Sequence, residues 1–106
     1  MKTKLNQFDA QGLRQGLWEG YWENGNIMYK GSYLNNETTG NWERYNNKGI
    51  LWYKGSYLNS MQIGSWEGYH KNGNLNWKGS YLNGERIGTW EEYNENGILK
   101  EVTYFH

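Results

Sequence analysis

Residues 64–84 read GSWEGYHKNGNLNWKGSYLNG. Asn72-Gly73 stands between two aromatic-rich runs, and Asn-Gly in that setting marks a two-residue hairpin turn of type I′, whose central residues both need positive φ. Folding the chain back there makes facing residue numbers sum to a constant. Trp66 then faces Gly79, Glu67 faces Lys78, Gly68 faces Trp77 and His70 faces Leu75. An indole meets a residue without a side chain, and a carboxylate meets an ammonium, a cross-strand pair worth roughly 0.2–1 kcal/mol.

The same pattern recurs 24 residues apart, on Trp18, Trp42, Trp66 and Trp90. The turn recurs with it, as Asn24-Gly25, Lys48-Gly49 and Asn96-Gly97, and the register again gives sensible partners: Trp18 with Gly31, Trp42 with Gly55, Glu19 with Lys30, Glu43 with Lys54. A fixed period of this length marks a stacked repeat protein, in which each supersecondary unit buries its neighbour's apolar face. Return turns at Asn35-Asn36, Asn59-Ser60 and Asn83-Gly84, with Gln11-Gly12 as a worn version, place Tyr29 against Trp42, Tyr53 against Trp66 and Trp77 against Trp90. One face is predicted to carry the four periodic tryptophans with Ile27, Leu51, Leu75, Leu99 and Tyr33, Tyr57, Tyr81. The other carries the Glu–Lys pairs, Ser32, Ser56, Ser80 and a column of Tyr21, Tyr45, Tyr69 and Tyr93. Glycine and asparagine recur too densely for a helix. The expected fold class is therefore all-β: an elongated single-layer antiparallel meander of stacked hairpins, one per 24-residue repeat, about four repeats in eight or nine strands. One domain spans 1–106, with repeats at approximately 18–41, 42–65, 66–89 and 90–106 and a degenerate N-terminal strand over 3–9.

Composition narrows the function. With 106 residues the chain has no room for a large enzyme core. Eleven basic and eleven acidic side chains cancel, which argues against a protein that works mainly by attracting nucleic acid or an anionic membrane. There is no cysteine, hence no disulfide framework and no thiolate metal site. The start, MKTKLNQFDAQG, lacks an apolar core, and no run has the length to span a bilayer, so the expected compartment is the cytoplasm. Aromatics reach 18% while proline is absent, so the sheet has to cohere through Trp and Tyr.

The pattern Gly-x-Trp-x-x-Tyr-x-x-Asn-Gly-x-Leu followed by Lys-Gly-x-Tyr-x-Asn-Gly, cleanest in residues 64–84, resembles the MORN repeat proteins and in particular their bacterial variant repeats. The resemblance covers about residues 16 to 105. It implies an elongated single-layer sheet of hairpins. For function it implies an antitoxin-like or immunity-like protein that neutralises a partner, with scaffolding and lipid binding as associations of the wider family; fold analogy alone does not carry function. The last unit departs from the pattern: Glu101-Val102-Thr103 replaces Lys-Gly-Ser, setting Thr103 opposite Trp90 and Val102 opposite Glu91. This reads as a capping repeat.

No catalytic constellation stands out from the repeat, and no metal or cofactor is expected. His70 and His106 are the only histidines and Asp9 the only aspartate, while Glu19, Glu43, Glu67 and Glu91 recur at the period, as solvated cross-strand partners would. Lys30, Lys54 and Lys78 line up near tyrosines as in single-strand binders, but each is opposed by a glutamate that cancels its field, so nucleic acid is not the expected ligand. Positions fixed by folding should be alike in every unit. The residue set opposite each tyrosine is not, running Met28, Trp52, Asn76, Lys100. Tyr21, Met28, Tyr45 and Trp52, with Tyr69, are thus the candidate partner-binding patch, against the alternative that Met28 and Trp52 merely cover their neighbours. Sheet edges at Lys4 to Phe8 and Glu101 to Phe105 offer strand addition or an edge-to-edge homodimer, with Lys2, Lys4 and Glu101 as mild gatekeepers. The expectation is a non-catalytic protein that occludes a toxin or other effector enzyme, without a membrane. The alternative is a glycan- or cell-envelope-binding module that uses aromatic platforms.

Overall fold

The computed structural model describes residues 5–106, and in it consecutive strands pair along the whole chain. The strands are β1 (Gln7–Phe8), β2 (Arg14–Tyr21), β3 (Ile27–Leu34), β4 (Glu37–Tyr45), β5 (Leu51–Leu58), β6 (Met61–Tyr69), β7 (Leu75–Leu82), β8 (Glu85–Tyr93) and β9 (Leu99–Phe105). They form one nine-stranded antiparallel sheet in chain order, the expected single-layer meander, with extents of 48 × 35 × 23 Å. Of the N-terminal strand expected over 3–9, residues 7–8 form β1. Residues 3 and 4, and the gatekeepers Lys2 and Lys4, lie outside the described residues.

The two kinds of turn differ. At the return turns both central residues take positive φ, 51° and 69° at Asn35-Asn36 and 50° and 63° at Asn59-Ser60, and Leu34 pairs with Glu37 as a two-residue loop requires. At the Asn-Gly turns only the glycine does: Gly73 has φ 89°, its N–H donates to the His70 carbonyl, and the His70 N–H donates to the Asn74 carbonyl. The loop is therefore Lys71-Asn72-Gly73, a turn closed by a left-handed glycine, and the expected type I′ turn is corrected. A β-bulge compensates. The register slips between Gly68 and Tyr69, so Tyr69 pairs with Leu75 and Asn76 is the extra residue. The longer loop and the bulge cancel, which leaves Trp66 opposite Gly79, Glu67 opposite Lys78 and Gly68 opposite Trp77, as expected. Two other readings change with the bulge. His70 does not face Leu75, and Met28, Trp52, Asn76 and Lys100 are bulge residues; the partners of Tyr21, Tyr45, Tyr69 and Tyr93 are Ile27, Leu51, Leu75 and Leu99. Since paired residues share a face, that aliphatic column stands with the tyrosines and not with the tryptophans.

A second slip, between Lys30 and Ser32 and at the equivalent places in the next two repeats, brings Arg44 opposite Tyr29, Gly68 opposite Tyr53 and Glu92 opposite Trp77. The expected pairing of Tyr29, Tyr53 and Trp77 with the next tryptophan is thus diagonal rather than direct. The rings still stack, with centroids 5.9, 6.2 and 5.5 Å apart. Each indole leans back across the preceding repeat. A Cβ placed on Gly55 would lie 2.0 Å from the Trp66 ring, and Gly31 and Gly79 stand in the same relation to Trp42 and Trp90. The glycine is thus demanded by the tryptophan that follows it, not by its ladder partner. Thr103 is tolerated opposite Trp90 for the same reason, because no described indole lies across it.

Trp42, Trp66 and Trp90 also donate from Nε1 to the carbonyls of Ser32, Ser56 and Ser80, at 3.1, 3.2 and 3.2 Å. Tyr33, Tyr57 and Tyr81 sit edge-on between successive indoles, and the alternation runs from Trp18 to Phe105. Each such pair contributes about 0.5–1.5 kcal/mol beyond burial. That matters because Trp66, 2% exposed, is the one buried large hydrophobic side chain among the described residues. The ladder is the core. On the other face Glu19, Glu43 and Glu67 oppose Lys30, Lys54 and Lys78 as expected, yet the closed ion pairs run to the next repeat: Lys30 to Glu43 at 3.3 Å and Lys78 to Glu91 at 3.7 Å. Hydrogen bonding to Glu43 holds the Lys30 ammonium above its ordinary pKa.

Candidate functional site

The three Asn-Gly hairpins and the equivalent Lys48-Gly49 hairpin project along one edge of the sheet, with tips at residues 22–26, 46–50, 70–74 and 94–98. Neighbouring tips are bound side chain to backbone, but only in alternation. From the first tip Trp22 Nε1 donates to the Tyr45 carbonyl at 3.2 Å, while Asn24 and Asn26 donate from Nδ2 to the Asn47 carbonyl at 2.6 and 2.9 Å. The third tip holds the fourth in the same way. There His70 Nε2 meets the Tyr93 carbonyl at 2.7 Å, which fixes the proton on that nitrogen, and Asn72 and Asn74 each donate to the Glu95 carbonyl at 2.8 Å.

Between the second and third tips no such bond forms among the described residues. The equivalents of Trp22, Asn24 and Asn26 are Asn46, Lys48 and Ile50. Asn46 turns its Oδ1 inward to accept from the Lys48 and Ile50 N–H groups of its own loop, and neither Lys48 nor Ile50 carries an amide to reach across. The chain therefore has a hidden period of 48 residues, Trp22 to His70, laid over the period of 24.

The unclamped junction is a cleft of about 360 Å³ walled by Trp22, Leu51, Trp52 and Tyr69 and by the loop residues Asn46, Asn47, His70 and Lys71. Trp52 is 52% exposed, and its ring packs edge-on to Tyr53 at 5.5 Å. The Tyr69 hydroxyl donates to Glu67, and burial together with that carboxylate pushes its pKa up to about 12.

The five residues singled out from the sequence do not form one exposed strip. Trp52 and Tyr69 meet at the cleft. Tyr21 is exposed but tied through its hydroxyl to Glu19, which raises its pKa, and Met28 and Tyr45 are half-buried, the Tyr45 carbonyl accepting from Trp22 of the first tip. The bulge position thus varies with the junction. Met28 and Asn76, between bound tips, are half-buried, whereas Trp52 and Lys100 are exposed. Trp22, Leu51, His70 and Lys71 were missed. The available signal was the alternation of Trp22 and His70 with Asn46 and Asn94 one position before each loop.

Among the described residues no three His, Cys, Asp or Glu side chains converge as metal ligands would, and no helix is long and apolar enough to cross a membrane. A family model described as a MORN repeat variant matches residues 14–35, 38–59 and 86–106, more than half of the chain. No curated protein matches it.

Proposed function

The chain belongs to the MORN repeat variant family, and from that premise we propose that it is a non-catalytic binding module that occupies the surface of a partner protein. The carrying observation is Trp52: a large aromatic ring half-exposed at a position that the equivalent repeats fill with Met28, Asn76 and Lys100, beside the junction between tips that lacks its clamps among the described residues. A Trp on a rigid sheet presents much contact area at small entropic cost, which is why such residues dominate interface energetics. The finer reading is an immunity-like or antitoxin-like inhibitor that acts in the cytoplasm by steric occlusion of a toxin or other effector enzyme.

Affinity capture from the source cell with wild-type protein and with Trp52→Asp tests this. The partner is expected to be lost from the variant while its far-ultraviolet spectrum and melting temperature stay near wild type. Retention of the partner would remove Trp52 from the interface, and collapse of the fold would make it a structural residue. The second reading, a glycan-binding module, is favoured by the same exposed ring; a glycan array on the purified protein separates the two.

A further inference from the structure

Resting on the protein-binding reading, we propose that the cleft between the second and third hairpin tips takes a bulky apolar side chain carried on an acidic segment of the partner. Charge placement along the tips gives the first argument. The two tips that flank the cleft carry Lys48 and Lys71, both exposed and neither in an ion pair among the described residues, while the outer tips carry the exposed Glu23 and Glu95. Among the described residues no carboxylate lines the cleft, and Glu67, which is hydrogen-bonded to the wall residue Tyr69, is opposed across the ladder by Lys54 and Lys78. A chain with no net charge therefore presents a local positive mouth bounded by negative tips, which attracts a short acidic segment and repels its extension along the edge.

The polar groups inside argue for an apolar anchor. Trp22 Nε1 is bonded to Tyr45, Asn46 Oδ1 to its own loop, His70 Nε2 to Tyr93 and the Tyr69 hydroxyl to Glu67. With those groups committed internally, the polar surface left in the cleft is the Asn46 Nδ2, the Asn47 side-chain amide, the His70 Nδ1 and the Lys71 ammonium, set among aromatic and aliphatic walls. A sugar brings more hydroxyls than those few groups can answer, and each hydroxyl stripped of water without a partner weakens binding. A nucleic-acid strand long enough to reach past the cleft meets Glu23 or Glu95. An apolar side chain flanked by carboxylates leaves neither deficit.

The test titrates the full-length protein against labelled probes by fluorescence anisotropy: a short peptide with a central tryptophan among aspartates and glutamates, the same peptide with a central alanine, a tryptophan peptide with lysines for the acids, chitohexaose and a thymidine oligonucleotide. Saturable binding of the first peptide alone is expected, weakened about tenfold or more by Trp52→Ala. Lys48→Glu with Lys71→Glu, at exposed loop positions that leave the ladder intact, should weaken it about three- to tenfold, and added salt should weaken it in the wild type. Equal binding of the alanine or lysine peptide, binding of the sugar or oligonucleotide in its place, or no binding at all overturns the proposal. If no peptide binds while Trp52→Asp still abolishes partner capture, the acidic anchor fails and the protein-binding reading stands. If capture survives as well, both fail.

Discussion

The two long edges of the sheet are built from hairpins of the same chain and are held together differently. Along the return-turn edge each turn donates a backbone N–H to the opening of the preceding repeat: Asn36 to Arg14 at 3.1 Å, Ser60 to Thr38 at 3.0 Å and Gly84 to Gln62 at 2.9 Å. These bonds come with the backbone geometry, so every repeat forms them. Along the opposite edge the bonds between tips come from side chains, and where Trp22, Asn24 and Asn26 are replaced by their equivalents Asn46, Lys48 and Ile50 the junction is left open. A repeat protein can thus keep its stacking on one edge and vary the other. The exposed Leu34, Leu58 and Leu82 of the return-turn edge are periodic, whereas Trp52 is not.

Removing what both edges share should have the largest effect. Trp66→Ala takes out the centre of the ladder and should cost about 3–5 kcal/mol, a large part of the stability of so small a domain, read by urea unfolding. Next comes the return-turn edge. Asn59 sits at φ 50°, and Asn59→Val forces a branched side chain into the left-handed region, with an expected loss of about 1–2 kcal/mol and no change in partner affinity. The tip edge should respond in opposite senses at its two kinds of junction. Asn72→Ala breaks the bond to the Glu95 carbonyl, together with the bond that Asn72 Oδ1 accepts from the Asn74 N–H in its own loop, and should cost about 1 kcal/mol or more, while Lys48→Asn supplies one of the missing clamps and should add about 1 kcal/mol. The added clamp should also narrow the cleft and weaken binding, a loss of function with a gain in melting temperature.

The smallest effect at neutral pH belongs to the tyrosine hydroxyls. Tyr69, at about 12, and Tyr21, Tyr45 and Tyr57, all raised above 10.0, keep protons in the fold that the unfolded chain gives up. The native state binds more protons above the ordinary tyrosine pKa, so stability is fully present below it and falls as pH rises from about 10 through 12. Melting temperature should hold flat from neutral pH to that point and then decline. In Tyr69→Phe the last step of the phenolate absorbance titration should disappear.

The strand register was legible in the sequence because glycine and opposed charges recur where the ladder needs them, and Trp18, Trp42 and Trp66 do pair with Gly31, Gly55 and Gly79. What arithmetic could not separate was the route around the turn. Residues 69–76 fit between Gly68 and Trp77 equally as a two-residue loop or as a three-residue loop with a bulge at Asn76. Only the second needs positive φ at the glycine alone, and it changes which residues face the tyrosines. Trp52 was legible as a departure from the repeat. Its setting was not, because the cleft is made by hydrogen bonds that the second tip lacks. Whether an asparagine side chain reaches a neighbouring carbonyl or folds into its own loop, as Asn46 does, depends on packing that a single repeat does not reveal.

Trp52 and Leu58 stand at opposite ends of β5 with the same exposure, 52% each, one at the tip edge and one at the return-turn edge. Measuring the dissociation constant of the captured partner for Trp52→Asp and Leu58→Asp side by side compares the two edges at matched burial. The expected result is a loss of about tenfold or more for Trp52→Asp and a change of less than about twofold for Leu58→Asp. Equal losses, or a larger loss at Leu58, would contradict the assignment of recognition to the open tip junction.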